Sequence, residues 1–246
     1  MYSGKDVCKL AKQYNITFPY RKRFWPENIT EEQMSFFKDT FIALNLHNAD
    51  CLLPHTKLVS YPGEPKDKSN GFFIGGEDNN GIPFFAVGCG TKFDNWFPIF
   101  IHEFCHFEQW HTDSSAWVKG YFLGHDPLQL QTLWFDKKIE LTKEQRKNIF
   151  NCSIKIELDC EKRAVHKIKQ YNLPIDTKEY IQKANAYLYT YTMAMFSRRW
   201  RSMKTKSPYN NLDVWPNLPD TFQSDYSTIP PKIKSLYVKH VFKYNK

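Results

Sequence analysis

Apolar residues recur at three- and four-residue intervals through 148–171, at Phe150, Ile154, Leu158, Val165 and Ile168. That spacing predicts an amphipathic helix with one buried face. Taking Ile154 as zero on a helical wheel at about 100° per residue, Leu158 falls at about 40°, Val165 at about 20° and Ile168 at about 320°. Glu157 and Glu161 fall at about 300° and about 340°, inside the apolar stripe, whereas Asp159, at about 140°, lies outside it with Lys155, Lys162, Arg163 and His166. Carboxylates on a core-facing stripe need partners. A metal ion is one answer, and basic residues such as Arg198 or Arg199 are another.

The stretch 94–110 is apolar nearly all round, with Phe97, Ile101, Phe104 and Phe107, and predicts a buried helix. Asp94 or Asn95 would cap it, with Pro98 in the first turn. Thr30-Glu31-Glu32-Gln33 is a capping-box start for a helix to about Leu46. Asp126-Pro127 predicts a cap and first turn for a helix over 128–135. Asp176 or Thr177 begins another, through Tyr187, Tyr191 and Met195 to about Trp200. Two aromatic runs, 71–76 and 82–88, flank a turn at 77–81 and predict a β-hairpin, in which Pro83 favours an edge strand. The pattern is therefore α+β and mainly helical, with a small antiparallel sheet or hairpin before the buried helix.

At 246 residues, with no linker, charge block or internal repeat, the chain reads as one domain, 1–246, ending in an irregular Pro-rich segment from about 207. Aromatic residues make up 17% of it, enough for a sizeable core. No apolar run has the length of a membrane span, and the N-terminus lacks a signal-type stretch, so a soluble, cytoplasmic protein without membrane contact is expected. Cys8, Cys51, Cys89, Cys105, Cys152 and Cys160 form no C-x-x-C pair and read as free, mostly buried thiols. The net charge is +8, and Arg21-Lys22-Arg23 and the run 198–206 are basic clusters that include aromatics. Such clusters can track a phosphate backbone, which makes nucleic-acid contact an alternative function, with any metal site structural or inactive.

Chemistry enters with His102-Glu103-Phe104-Cys105-His106. Imidazoles four apart stack on one helix face and can share a zinc ion, while Glu103 stands beside that face, placed to take a proton from a metal-held water rather than to coordinate. Zinc hydrolase sites usually draw three ligands from the protein. The inward-facing Glu157 and Glu161 of the 148–171 helix are the best candidates for the third. His111, Arg163, Tyr187 and Tyr191 are candidates to stabilise an oxyanion.

His102-Glu103-x-x-His106, followed by a helix with Glu157-Leu158-Asp159-Cys160-Glu161-Lys162-Arg163-Ala164, resembles the gluzincin branch of zinc metallopeptidases. The resemblance implies a zincin-like fold and a peptide or protein substrate, with Zn2+ held by His102, His106 and Glu157. It also implies Glu103 as general base and Glu161 as support for a ligand histidine. In such folds an edge strand before the metal helix binds extended substrate by backbone pairing, and the hairpin stands at that point in the order. A metzincin pattern fails, since Gln109 and Thr112 occupy the positions that would need Gly and His or Asp. An SprT-like, DNA-associated protease would use His125. The chain also looks like metallopeptidase-like proteins of large tailed phages, which would put it in host cytoplasm.

Overall fold

Phe93, Trp96, Phe97, Phe100, Ile101, Phe104 and Phe107 are all buried, so the helix that carries them, α3 (Phe93–His111), is enclosed along most of its circumference. The computed structural model describes residues 1–62, 64–76, 79–118, 122, 125–200 and 205–242. These fall into two units, Met1–Thr112 with His166–Ile175, and Asp113–Val165 with Asp176–Lys246.

In the first unit, α1 (Gly4–Gln13) and α2 (Glu31–Leu46) precede three-residue strands β1 (Asp50–Leu52) and β2 (Val59–Tyr61). Then come β3 (Glu64–Ser69), β4 (Gly71–Ile74), β5 (Phe84–Val87) and α3. Helix α2 has the expected capping box, Gln33 N–H donating to Thr30 Oγ1 and Thr30 N–H to Gln33 Oε1. Its buried face sets Phe37 against Phe97 and Phe100, with ring centroids 5.4 and 5.5 Å apart. Each such pair adds roughly 0.5–1.5 kcal/mol beyond the area buried. The Trp96 indole N–H, in this dry surrounding, donates to the Phe24 carbonyl at 3.1 Å.

The sheet runs β1-β5-β4, with β4 antiparallel and β1 parallel to β5. The hairpin is thus present, pairing Gly71 with Val87 and Ile74 with Phe84. Glu77 and Asp78 of its turn lie outside the described residues. Asn80 and Gly81, both with positive φ, make a tight turn inside the 75–83 connection, with Ile82 N–H donating to Asn79 O. Three features depart from expectation. A parallel strand, β1, is added, and β2 and β3 form a second, two-stranded sheet. Pro83 does not mark an edge: it precedes β5, the central strand, and its carbonyl accepts from Asp50 N–H. Nor does α3 start at an Asp or Asn cap. Lys92 is its N-cap, Asp94 lies in the first turn and Pro98 is inside the helix. Packing explains the longer helix, since Phe93 stacks on Phe97 at 4.4 Å and the added turn buries both.

The second unit contains α4 (Ser115–Val118), α5 (Pro127–Phe135), most of α6 (Lys143–Gln170), α7 (Thr177–Ser197) and α8 (Pro231–His240). Asp126 caps α5 by accepting from Leu128 N–H, and Asp176 caps α7 by accepting from Lys178 and Glu179 N–H. Helix α7 ends at Ser197, short of Trp200, because Arg198 takes a left-handed conformation. Helix α6 begins a turn and a half before the apolar periodicity does, at a capping box in which Thr142 and Gln145 exchange hydrogen bonds.

The Pro-rich segment from about 207 is not irregular throughout. It holds α8, and Val214, Leu218, Tyr226, Ile233, Tyr237, Val241 and Phe242 are buried in one cluster with Leu188, Tyr189 and Tyr191 of α7. Asn185 pins it, donating to the carbonyls of Pro219 at 2.8 Å and Thr221 at 3.0 Å. Prolines interrupt long elements here without keeping the side chains between them out of the core.

Candidate metal centre

Helix periodicity brings His102 and His106 together on α3, with ring centroids 4.7 Å apart, ring planes at 87° and Nε2 atoms at 3.1 Å. Two nitrogens on one tetrahedral zinc, each at about 2.0–2.1 Å, are about 3.3–3.4 Å apart, so the pair stands within a few tenths of an ångström of sharing an ion. His106 Nδ1 lies 2.8 Å from Gln109 Oε1. An amide oxygen only accepts, so Nδ1 carries a proton, and in the neutral ring this leaves the Nε2 lone pair towards His102. His106 is 8% exposed and Gln109 fully buried.

Glu103, one residue after His102, is 7% exposed. The first residue of β4 lies directly over it. A Cβ at Gly71 would meet Ile99 Cγ2 at 2.7 Å, Glu103 Cγ at 3.0 Å and Glu103 Oε1 at 3.1 Å. Close approach of the strand to α3, at Ile99 first and then at Glu103, is therefore what favours glycine there. Nearby on α3, Glu108 pairs with Lys167 at 2.6 Å, and the Lys167 ammonium stands 5.0 Å from the Phe104 ring centroid.

On α6, Glu157 and Glu161 are buried with Phe150, Ile154, Val165 and Ile168, as the wheel requires, and Lys155, Lys162 and His166 are exposed. Tyr191 donates to Glu157 Oε1 at 3.0 Å and Tyr187 to the same oxygen at 3.3 Å, with the two hydroxyls 2.9 Å apart. Burial, and then the Glu157 charge, hold the Tyr187 phenol well above its ordinary range, so it stays a donor. Arg198 takes other partners, donating to the Trp134 carbonyl at 2.8 Å and to Glu140 at 2.9 Å. Arg163 pairs with Asp159 one turn away at 2.8 Å.

Among the described residues, His102, His106 and Cys160 form a group that could hold a metal ion, their ligand atoms all lying within 4.8 Å of one another. Cys160 was expected only as a buried thiol. Its signal was on the wheel, about 60° from Glu157 on the flank of the same stripe. Gln109 and Gly71 gave no comparable signal, because one acts through a rotamer and the other through an absent side chain.

His125 is exposed and joined to Phe122 by a β-bridge before α5. His111 lies about 180° around α3 from His102, its ring 3.9 Å from that of His47. All six cysteines are free. Burial pushes the Cys8 and Cys51 thiols up to about 12. Arg21, Lys22 and Arg23 are exposed, while 201–204 of the second basic cluster lie outside the described residues. No helix among the described residues is long and apolar enough to cross a membrane. In comparisons with known proteins, no family model, curated protein or solved structure matches the chain.

Proposed function

We propose that the protein is a zinc-dependent hydrolase acting on peptides or proteins, with His102, His106 and Glu157 as ligands and Glu103 as general base. The observation that carries this reading is the convergence of two imidazole nitrogens to 3.1 Å, with a buried carboxylate one residue after the first. Burying imidazoles and a carboxylate among phenylalanines costs free energy unless a partner satisfies them, and zinc suits a donor set of nitrogen, oxygen and sulfur. When bound, zinc supplies Lewis acidity that polarises a carbonyl and makes water acidic near neutral pH. Glu103 would take the proton of the attacking water and return it to the leaving amine. Glu161 would orient a ligand histidine by hydrogen bonding.

Elemental analysis of protein purified without chelators is expected to give about one zinc per chain, removed by His106→Ala. Fluorescent casein should be cleaved, cleavage should stop with a chelator, and zinc should restore it. Protein that holds no zinc and takes none up overturns the reading.

Cys160 supports a second one, since thiolates are characteristic ligands of closed structural zinc sites. Under it the protein holds zinc without hydrolysis and binds nucleic acid or belongs to a virion. Zinc-loaded protein inert towards casein, with Cys160→Ala releasing the ion, favours that alternative.

A further inference from the structure

We propose that Gln109 is a positioning residue for the metal centre, holding His106 in the one tautomer and ring direction that present Nε2 to an ion. The inference rests on the zinc reading above and adds a residue that the histidine motif does not include.

Gln109 is three residues beyond His106 on the same helix, so their side chains share a face, and the 2.8 Å contact to Nδ1 needs no other element. A neutral imidazole has two tautomers, and which nitrogen keeps the proton is set by the bond the other makes. With Nδ1–H donated to Gln109 Oε1, the neutral His106 ring is left with Nε2 as its acceptor, 3.1 Å from His102 Nε2. Substituting an apolar side chain at 109 lets the ring turn and lets the proton sit on Nε2, where it blocks coordination. Gln109 is fully buried, so the contact is not in competition with bulk water. Support for a ligand histidine is thus built into α3 itself, whatever Glu161 adds.

Nitrogen-15 NMR of the metal-free parent protein is the first test: His106 is expected to show a protonated Nδ1 and an unprotonated Nε2. Competitive zinc titration is the second. Gln109→Met keeps the length and removes the acceptor, and is expected to weaken zinc affinity by about 10- to 100-fold, as loss of an outer partner of a ligand does. Gln109→Glu restores an acceptor and is expected to hold zinc at least as tightly as the parent. Thermal unfolding of the metal-free proteins separates this from a packing role. If Gln109→Met lowers the midpoint but leaves zinc affinity unchanged, Gln109 is only structural and the proposal is overturned. A proton on His106 Nε2 in the parent overturns it too, even where Gln109→Met does not fold. Parental zinc affinity in His106→Ala would instead remove the metal centre as read, which is a different failure.

Discussion

Crowding fixes Glu103 on α3, which is what the proposed role of a general base beside a metal would need: close to the ion without being drawn into coordination. Glu103 is packed under the backbone of Gly71 and beside Ile99, a slot that a single methyl group would fill. Glu103→Gln keeps the shape of the slot and removes the basic oxygen. The variant is expected to retain zinc and the unfolding midpoint of the parent while losing casein hydrolysis by about 10²- to 10⁴-fold. Parental activity in that variant would take Glu103 out of the reaction. The histidine pair and its intervening carboxylate were legible because they form a fixed spacing of rare residue types. Gln109 and Gly71 were not, since an amide rotamer and the space above a glycine are set by tertiary packing.

Elements were legible where caps and periodicity agree. Thr30 with Gln33, and Asp126 with Pro127, started helices where they were expected to. Where packing and capping disagree, packing decides: α3 begins at Phe93, after an N-cap, Lys92, that makes no side-chain bond, because Phe93 and Phe97 bury. Strand β1 was illegible, because three residues pairing with a strand more than thirty positions later leave no periodic trace. The α6 stripe yields a prediction about ligands. Glu157→Ala is expected to weaken zinc binding strongly, Glu161→Ala by about 10- to 100-fold, and exposed His125→Ala hardly at all. Competitive titration at fixed pH and salt ranks the three, and loss confined to His125→Ala would favour the SprT-like alternative. The ends of α2 and α3 yield another. Burial, and then the His111 charge, lower the proton affinity of His47. The unfolded chain therefore binds this proton first as pH falls, so the contribution of neutral His47 is full above about 6.5 and shrinks below it. His47→Gln should flatten the loss of stability as pH falls below about 6.5 in urea titrations. An unchanged slope would show that other groups set it.

At the scale of the whole chain, charge and core are unevenly shared. Acidic and basic residues balance in the first unit, so the excess of +8 falls in the second, where any polyanion contact is to be sought. The second unit also depends on its last elements. Ile233, Tyr237, Val241 and Phe242 are buried, and at roughly 1.5–3 kcal/mol for each side chain they supply an amount comparable with the whole stability of a typical domain. A chain ending at Pro230 is expected to lose cooperative unfolding of this unit, seen as loss of near-ultraviolet dichroism from its tyrosines and tryptophans. Retention of a sharp transition would mean that α8 is dispensable.

The composition of the two units also sets the order in which they can be completed during synthesis. The first needs 166–175, which leave the ribosome only after 113–165, and the second needs residues up to Phe242. Chains fold from the N-terminus as they emerge, yet here neither core can close early. The phenylalanine-covered α3 therefore waits, while 113–165 are made, without its full enclosure. Its apolar faces are then a binding surface for chaperones, and ribosome-bound chains stalled before 166 should be captured by them more strongly than chains stalled after 175.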